Sequence, residues 1–121
     1  MTALLMDLGN TRWKMAHAGD TGISRVTSGR YGDLHGLRAA ALDDRVGLGS
    51  VWLASVVDEL RTQAVVSVLR ESLGVAVRHV ISTDPMPNLV SGYLKPEQLG
   101  IDRLMALVAA RAISPQPLCV V

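Results

Sequence analysis

Two short stretches hold the residues best equipped for chemistry: Asp7-Leu8-Gly9-Asn10-Thr11 with Lys14 close behind, and Tyr93 followed by Gly100-Ile101-Asp102-Arg103. In the first, an apolar run from Ala3 to Leu8 reads as a buried strand that delivers a carboxylate to a sheet edge. Gly9 lets the backbone turn tightly, and bare N–H groups in such a turn face phosphate oxygens. Thr11 adds a hydroxyl donor. Asp7 and a phosphate repel each other, so its role there is to hold Mg²⁺, directly or through water, with the ion bridging the phosphates. By itself the pentapeptide also fits a hairpin whose Asp and Asn only stabilise a turn. No Gly-x-x-x-x-Gly-Lys-Ser/Thr and no Gly-x-Gly-x-x-Gly occurs. The strand-turn-strand pattern around Gly9 instead resembles the ATP-binding hairpin loops of the actin, heat-shock chaperone and sugar-kinase superfamily.

In the second stretch Gly100 admits a ligand close to the backbone, and Asp102 falls in the first turn of an expected helix, where N–H groups favour an anion. A carboxylate there accepts a proton from a substrate hydroxyl as that oxygen attacks phosphorus. Arg103 offers a bidentate fork to a substrate carboxylate, and Tyr93 packs on or donates to a small polar ligand. Taken alone, the same residues fit a plain helix start, with Asp102 as an electrostatic cap and Arg103 in a surface pair.

Both stretches together resemble the type III pantothenate kinases. The N-terminal strand with Asp-x-Gly-Asn-Thr resembles that family's first phosphate motif, and Tyr-x-x-Pro-x-x-Leu-Gly-x-Asp-Arg, here Tyr93 to Arg103, resembles its pantothenate-binding and catalytic motif. Their order, the interval of roughly ninety residues and the Ala-rich segment after the second motif (Ala106, Ala109, Ala110) match as well. The resemblance implies that Asp7, Leu8, Gly9, Asn10, Thr11, Arg12, Trp13 and Lys14 form the ATP- and Mg²⁺-binding segment. It implies that Tyr93, Gly100, Ile101, Asp102 and Arg103 form the pantothenate site, with Asp102 as catalytic proton acceptor. It further implies a pair of ribonuclease-H-like domains, homodimers, and a need for Mg²⁺ and a monovalent cation, K⁺ or NH₄⁺. The family's second phosphate motif, Asp-x-Gly-Thr-Ala, follows a strand. A strand is expected to begin at Leu118, and the motif does not occur within the 121 residues. The monovalent-cation ligand and the rest of the ATP clamp belong with that motif. The expectation is an N-terminal half: residues 1–114 as a ribonuclease-H-like kinase domain, and 115–121 as linker and first strand of a second domain. Such a piece is expected to lack turnover by itself.

The elements that must position these residues follow from periodicity. Arg12 to His17 alternates, with Trp13, Met15 and His17 on one face, giving a hairpin about Gly9-Asn10. Ile23 to Ser28 is a third, weaker strand after Gly19-Asp20-Thr21-Gly22, completing an antiparallel meander. Leu34, Leu37, Ala41 and Leu42 recur at helical spacing behind Asp33 as N-cap. Val51 to Val57 is a buried strand. A helix opens near Asp58, with Leu60, Ala64, Val65, Val68, Leu69 and Leu73 as its core stripe and Gly74 as its stop. Val75 to Ile81 is another strand, Asp84 to Asn88 a loop, and Ile101 to Ile113 the last helix. The predicted class is α/β, with a mixed sheet and the order β-β-β-α-β-α-β-α.

Composition narrows the alternatives. Twelve basic and eleven acidic residues are spread along the chain, so no basic face points to nucleic acid. No apolar run is long enough for a bilayer and no signal-type segment opens the chain, and the lone Cys119, read as a buried hydrophobe in a strand, fits a reducing, cytoplasmic setting. His17, His35 and His79 lack metal-ligand spacing, and Trp13 and Trp52 read as core. The alternatives of other classes are a transcriptional accessory factor of the same family and another small-molecule kinase of the superfamily.

Overall fold

A computed structural model describes residues 1–43 and 47–121, which fall into two compact units, Met1–His79 and Val80–Val121. In the first, alternation of apolar residues forces strands with one face inward. Leu4, Met6 and Leu8 of β1 (Thr2–Leu8), Trp13 and Met15 of β2 (Arg12–Gly19), and Val51 and Leu53 of β5 (Leu48–Ser55) are all buried in one cluster. Leu37 and Ala41 of α1 (Leu34–Leu42) and Val65, Val66 and Leu69 of α2 (Glu59–Leu73) complete it. Burying each such Leu or Val contributes roughly 1.5–3 kcal/mol relative to exposure.

β2 is antiparallel to β1, whereas β5 is parallel to β1 and β6 (Val77–His79) is parallel to β5, so the sheet is mixed, as expected. With β3 (Gly22–Ile23) and β4 (Thr27–Arg30), its order is β3-β2-β1-β5-β6, and β4 is also on β2. The expected single third strand is in fact two, β3 and β4. Both pair with β2, and their register differs by one residue across Ser24–Val26. One extra residue of this kind is a bulge, anchored here by Ser24, whose N–H donates to the His17 carbonyl and whose Oγ accepts from the His17 N–H, both at 2.8 Å.

Local sequence explains the helix ends. Asp33 caps α1 by accepting from Gly36 N–H at 2.8 Å. Asp58 caps α2 by accepting from Arg61 N–H at 2.9 Å, and Gly74 closes it in a left-handed conformation at φ 65°. Three expectations are corrected within this unit. The buried stripe of α2 is Thr62, Val65, Val66 and Leu69, while Leu60 is 84% exposed and Ala64 is also outside the core. A strand covering Val75 to Ile81 shrinks to Val77–His79. Trp52 is exposed, because Val51 and Leu53 take the core face and alternation turns Trp52 to the other, where the Arg78 guanidinium stacks 5.1 Å from its ring centroid.

The second unit is irregular up to a 3-10 turn (Pro96–Gln98) and then forms α3 (Ile101–Ile113), within the predicted bounds. Arg111 donates to the carbonyls of Ser114 (3.4 Å) and Gln116 (3.1 Å), tying down the chain after the helix. Leu118 to Val121 forms no strand, contrary to expectation, and Cys119 is exposed rather than buried. A strand exists only through its ladder, and among the described residues this segment has no pairing neighbour. No helix among the described residues is long and apolar enough to cross a membrane.

Candidate active site

The first motif lies at the junction of β1 and β2. β1 ends at Leu8, and the chain turns through Asn10 and Thr11 before β2, with Gly9 N–H donating to the Arg12 carbonyl at 3.0 Å. Gly9 does not need a positive φ here. What it supplies is space, because a Cβ would lie 3.2 Å from the Arg12 carbonyl oxygen. Tyr31 braces the turn from outside, its hydroxyl donating to the carbonyls of Gly9 and Arg12. Burial, and secondarily the Asp7 carboxylate, hold the Tyr31 hydroxyl above its ordinary pKa, with Arg61 pulling the other way. The phenol therefore stays protonated and keeps donating throughout the neutral range.

Of the eight residues in this segment, Leu8 and Trp13 point into the core, so their contribution to a ligand is through backbone and scaffold. Asp7, Asn10, Thr11, Arg12 and Lys14 are exposed. Asp7 and Lys14 are cross-strand partners on the face away from the core, and no ion pair within 4.0 Å ties Asp7 among the described residues. A free, exposed carboxylate at a strand end suits a hard, water-retaining cation such as Mg²⁺, which needs only one or two protein carboxylates beside phosphate oxygens. No cluster of three His, Cys, Asp or Glu side chains placed to hold a metal ion occurs among the described residues.

Three further residues join the turn that the motif alone did not reveal. β1, β4 and β5 run in one direction, since β4 is antiparallel to the same β2 that is antiparallel to β1. Their carboxyl ends therefore share one edge of the sheet, the edge where open α/β sheets take ligands. There, Asn10, Thr11 and Arg12 from the turn, Arg30 and Tyr31 from the end of β4, and Arg61 from the first turn of α2 line a cavity of about 490 Å³. Arg61 stacks over Tyr31, 5.7 Å from the ring centroid, and its Nε lies 3.7 Å from Asp58. A count of β2–β4 register would have placed Arg30 opposite Arg12, but the bulge between β3 and β4 hides that register from the sequence. Arg61 had no local signal beyond its place three residues after a helix cap.

In the second unit Tyr93 lies in irregular chain, half exposed, its N–H donating to Ser91 Oγ at 3.2 Å. Gly100 is the N-terminal boundary residue of α3, and no side chain caps the helix. The Asp102 carboxylate folds back over that end and accepts from Arg103 N–H at 2.9 Å. A Cβ on Gly100 would lie 2.8 Å from Asp102 Oδ1, so glycine keeps the space the carboxylate occupies. Asp102 and Arg103 are exposed, while Ile101 is buried and anchors the turn.

A mixed sheet with helices packed on it, and a glycine turn at its strand ends, is consistent with an α/β kinase fold. The family model for type III pantothenate kinase matches residues 3–121, and the chain belongs to that family. It is 36% identical to a type III pantothenate kinase of Halorhodospira halophila over 98% of this chain and 49% of that protein. It is 32% identical to one of Azoarcus sp. over 98% of the chain and 45% of the relative, and 31% identical to one of Xanthomonas axonopodis pv. citri over 95% and 47%. The chain spans about half the length of the curated relatives it matches, and it corresponds to their N-terminal part.

Proposed function

We propose that the protein is an ATP-dependent pantothenate kinase of the cytoplasm, forming 4'-phosphopantothenate for coenzyme A synthesis. The observation that carries this reading is the family match over residues 3–121, which includes both motifs. The turn at Asn10 and Thr11 then receives the phosphates of ATP, through backbone N–H groups and the Thr11 hydroxyl. Lys14 adds a positive charge on the same face as Asp7. Asp7 would hold Mg²⁺, directly or through water, and the bound ion supplies charge neutralisation on the phosphates.

Asp102 accepts the proton of the primary hydroxyl of pantothenate as that oxygen forms its bond to the γ-phosphorus and the bond to ADP breaks. Its exposure and its place at a helix N-terminus leave the carboxylate available to substrate. Arg103 binds the pantothenate carboxylate as a fork, and Tyr93 orients the ligand. The fold proposed for the whole is ribonuclease-H-like, active as a homodimer, with a monovalent cation bound outside the residues described. Isothermal titration of the full-length protein tests the substrate class: pantothenate binds and a panel of sugars does not. Sugar binding without pantothenate binding contradicts the assignment.

A further inference from the structure

We infer that Arg30, Tyr31 and Arg61, none of them in either motif, complete a polyphosphate-binding pocket with Thr11 and Arg12. The inference rests on the kinase reading only for the identity of the natural ligand. The pocket itself rests on charge and geometry. Arg12 and Arg30 are direct cross-strand partners in the β2–β4 ladder, and both residues line the same cavity. Like charges directly opposed on a sheet are destabilising. Among the described residues neither has a carboxylate within 4.0 Å, and the third guanidinium, Arg61, has only the exposed Asp58 at 3.7 Å.

An arrangement that costs stability and has no partner inside the fold is expected at a functional site, where the missing partner is the ligand. Here the partner must be anionic and large enough to meet three guanidiniums around a cavity of about 490 Å³. It must also meet them at the carboxyl ends of β1, β4 and β5. A chain of phosphates meets these conditions. Guanidinium forks bind phosphate oxygens two at a time, and Thr11 and the turn add neutral donors. Tyr31 serves as a positioning residue. Its hydroxyl is committed to the Gly9 and Arg12 carbonyls, and its ring carries the Arg61 guanidinium. It thereby ties the turn, β4 and α2 into one frame.

Titration of the full-length protein with sodium tripolyphosphate tests the pocket directly. Arg30→Gln and Arg61→Gln are each expected to weaken binding roughly tenfold or more, the loss of one charge-assisted contact. Arg61→Lys, which keeps the charge and loses the fork, falls between. Arg78→Gln, which removes an arginine stacked on Trp52, controls for general charge and leaves binding unchanged. Without ligand, Arg30→Gln should melt at or above the wild-type temperature, and its stabilisation by tripolyphosphate should shrink. Wild-type affinity in both Gln variants overturns the inference, and so does an equal loss in Arg78→Gln. The kinase reading fails separately. If the variants lose tripolyphosphate while the wild type phosphorylates no pantothenate, the pocket stands and the substrate assignment falls. If pantothenate phosphorylation proceeds with an unchanged KM for ATP in both Gln variants, the pocket falls and the kinase stands.

Discussion

Tyr31 and Trp13 show how single side chains hold the turn between β1 and β2 and the strand beside it. The Trp13 ring lies over Gly29, its cross-strand partner, and its Nε1–H donates to the Arg30 carbonyl at 3.1 Å. A Cβ on Gly29 would stand 2.3 Å from the ring, so Gly29→Ala should cost about 1–3 kcal/mol through overpacking, read as a lower urea midpoint with altered tryptophan fluorescence. Tyr31→Phe removes the donor to two carbonyls and should cost about 1 kcal/mol at neutral pH. The pH dependence has a definite sign. Tyr31 has a raised folded-state pKa, so its contribution is whole below the ordinary tyrosine range and is lost as pH rises through the raised value. The wild type should therefore lose stability above about pH 10 more steeply than Tyr31→Phe, in unfolding midpoints measured across that range. Equal slopes would remove the bracing role.

At the scale of elements, the helix starts were legible because capping is local. Asp33 and Asp58 each precede an apolar periodic run, and each accepts from an N–H three residues on. Asp58→Ala should cost about 1 kcal/mol, nearly all of it from the cap; its exposed pair with Arg61 adds little. Chemical denaturation measures this, and Asp58→Asn should restore most of the loss. The turn after β5 is tied by Ser55, whose Oγ bonds Thr62 Oγ1 at 2.8 Å and accepts from Val57 N–H at 3.2 Å. That explains an apolar strand ending in serine without giving it a chemical task. What could not be read locally were features set by pairing partners. The bulge at Ser24–Val26 splits the third strand, Trp52 goes outward once Val51 and Leu53 are inward, and Leu118 to Val121 lacks a ladder neighbour. The candidate residues of the two motifs, Asp7 to Lys14 and Tyr93 with Gly100 to Arg103, could be named from residue type, spacing and the family resemblance. Arg30, Tyr31 and Arg61 were missed because only the shared carboxyl edge of three strands brings them to the turn.

For the whole molecule, a mixed sheet collects strand ends and a helix start at one edge, and the family match spans nearly the entire chain. The proposed function has this scaffold serve phosphoryl transfer to pantothenate, with Asp102 as the proton acceptor. The most direct test is 4'-phosphopantothenate formation from ATP and pantothenate by the full-length wild-type protein and by Asp102→Asn, side by side. Turnover by the wild type is expected, with a fall of about 10²–10⁴-fold in kcat in the variant, the usual worth of a general base, and little change in pantothenate KM. Near-normal turnover by Asp102→Asn, or no phosphopantothenate from the wild type, would contradict it.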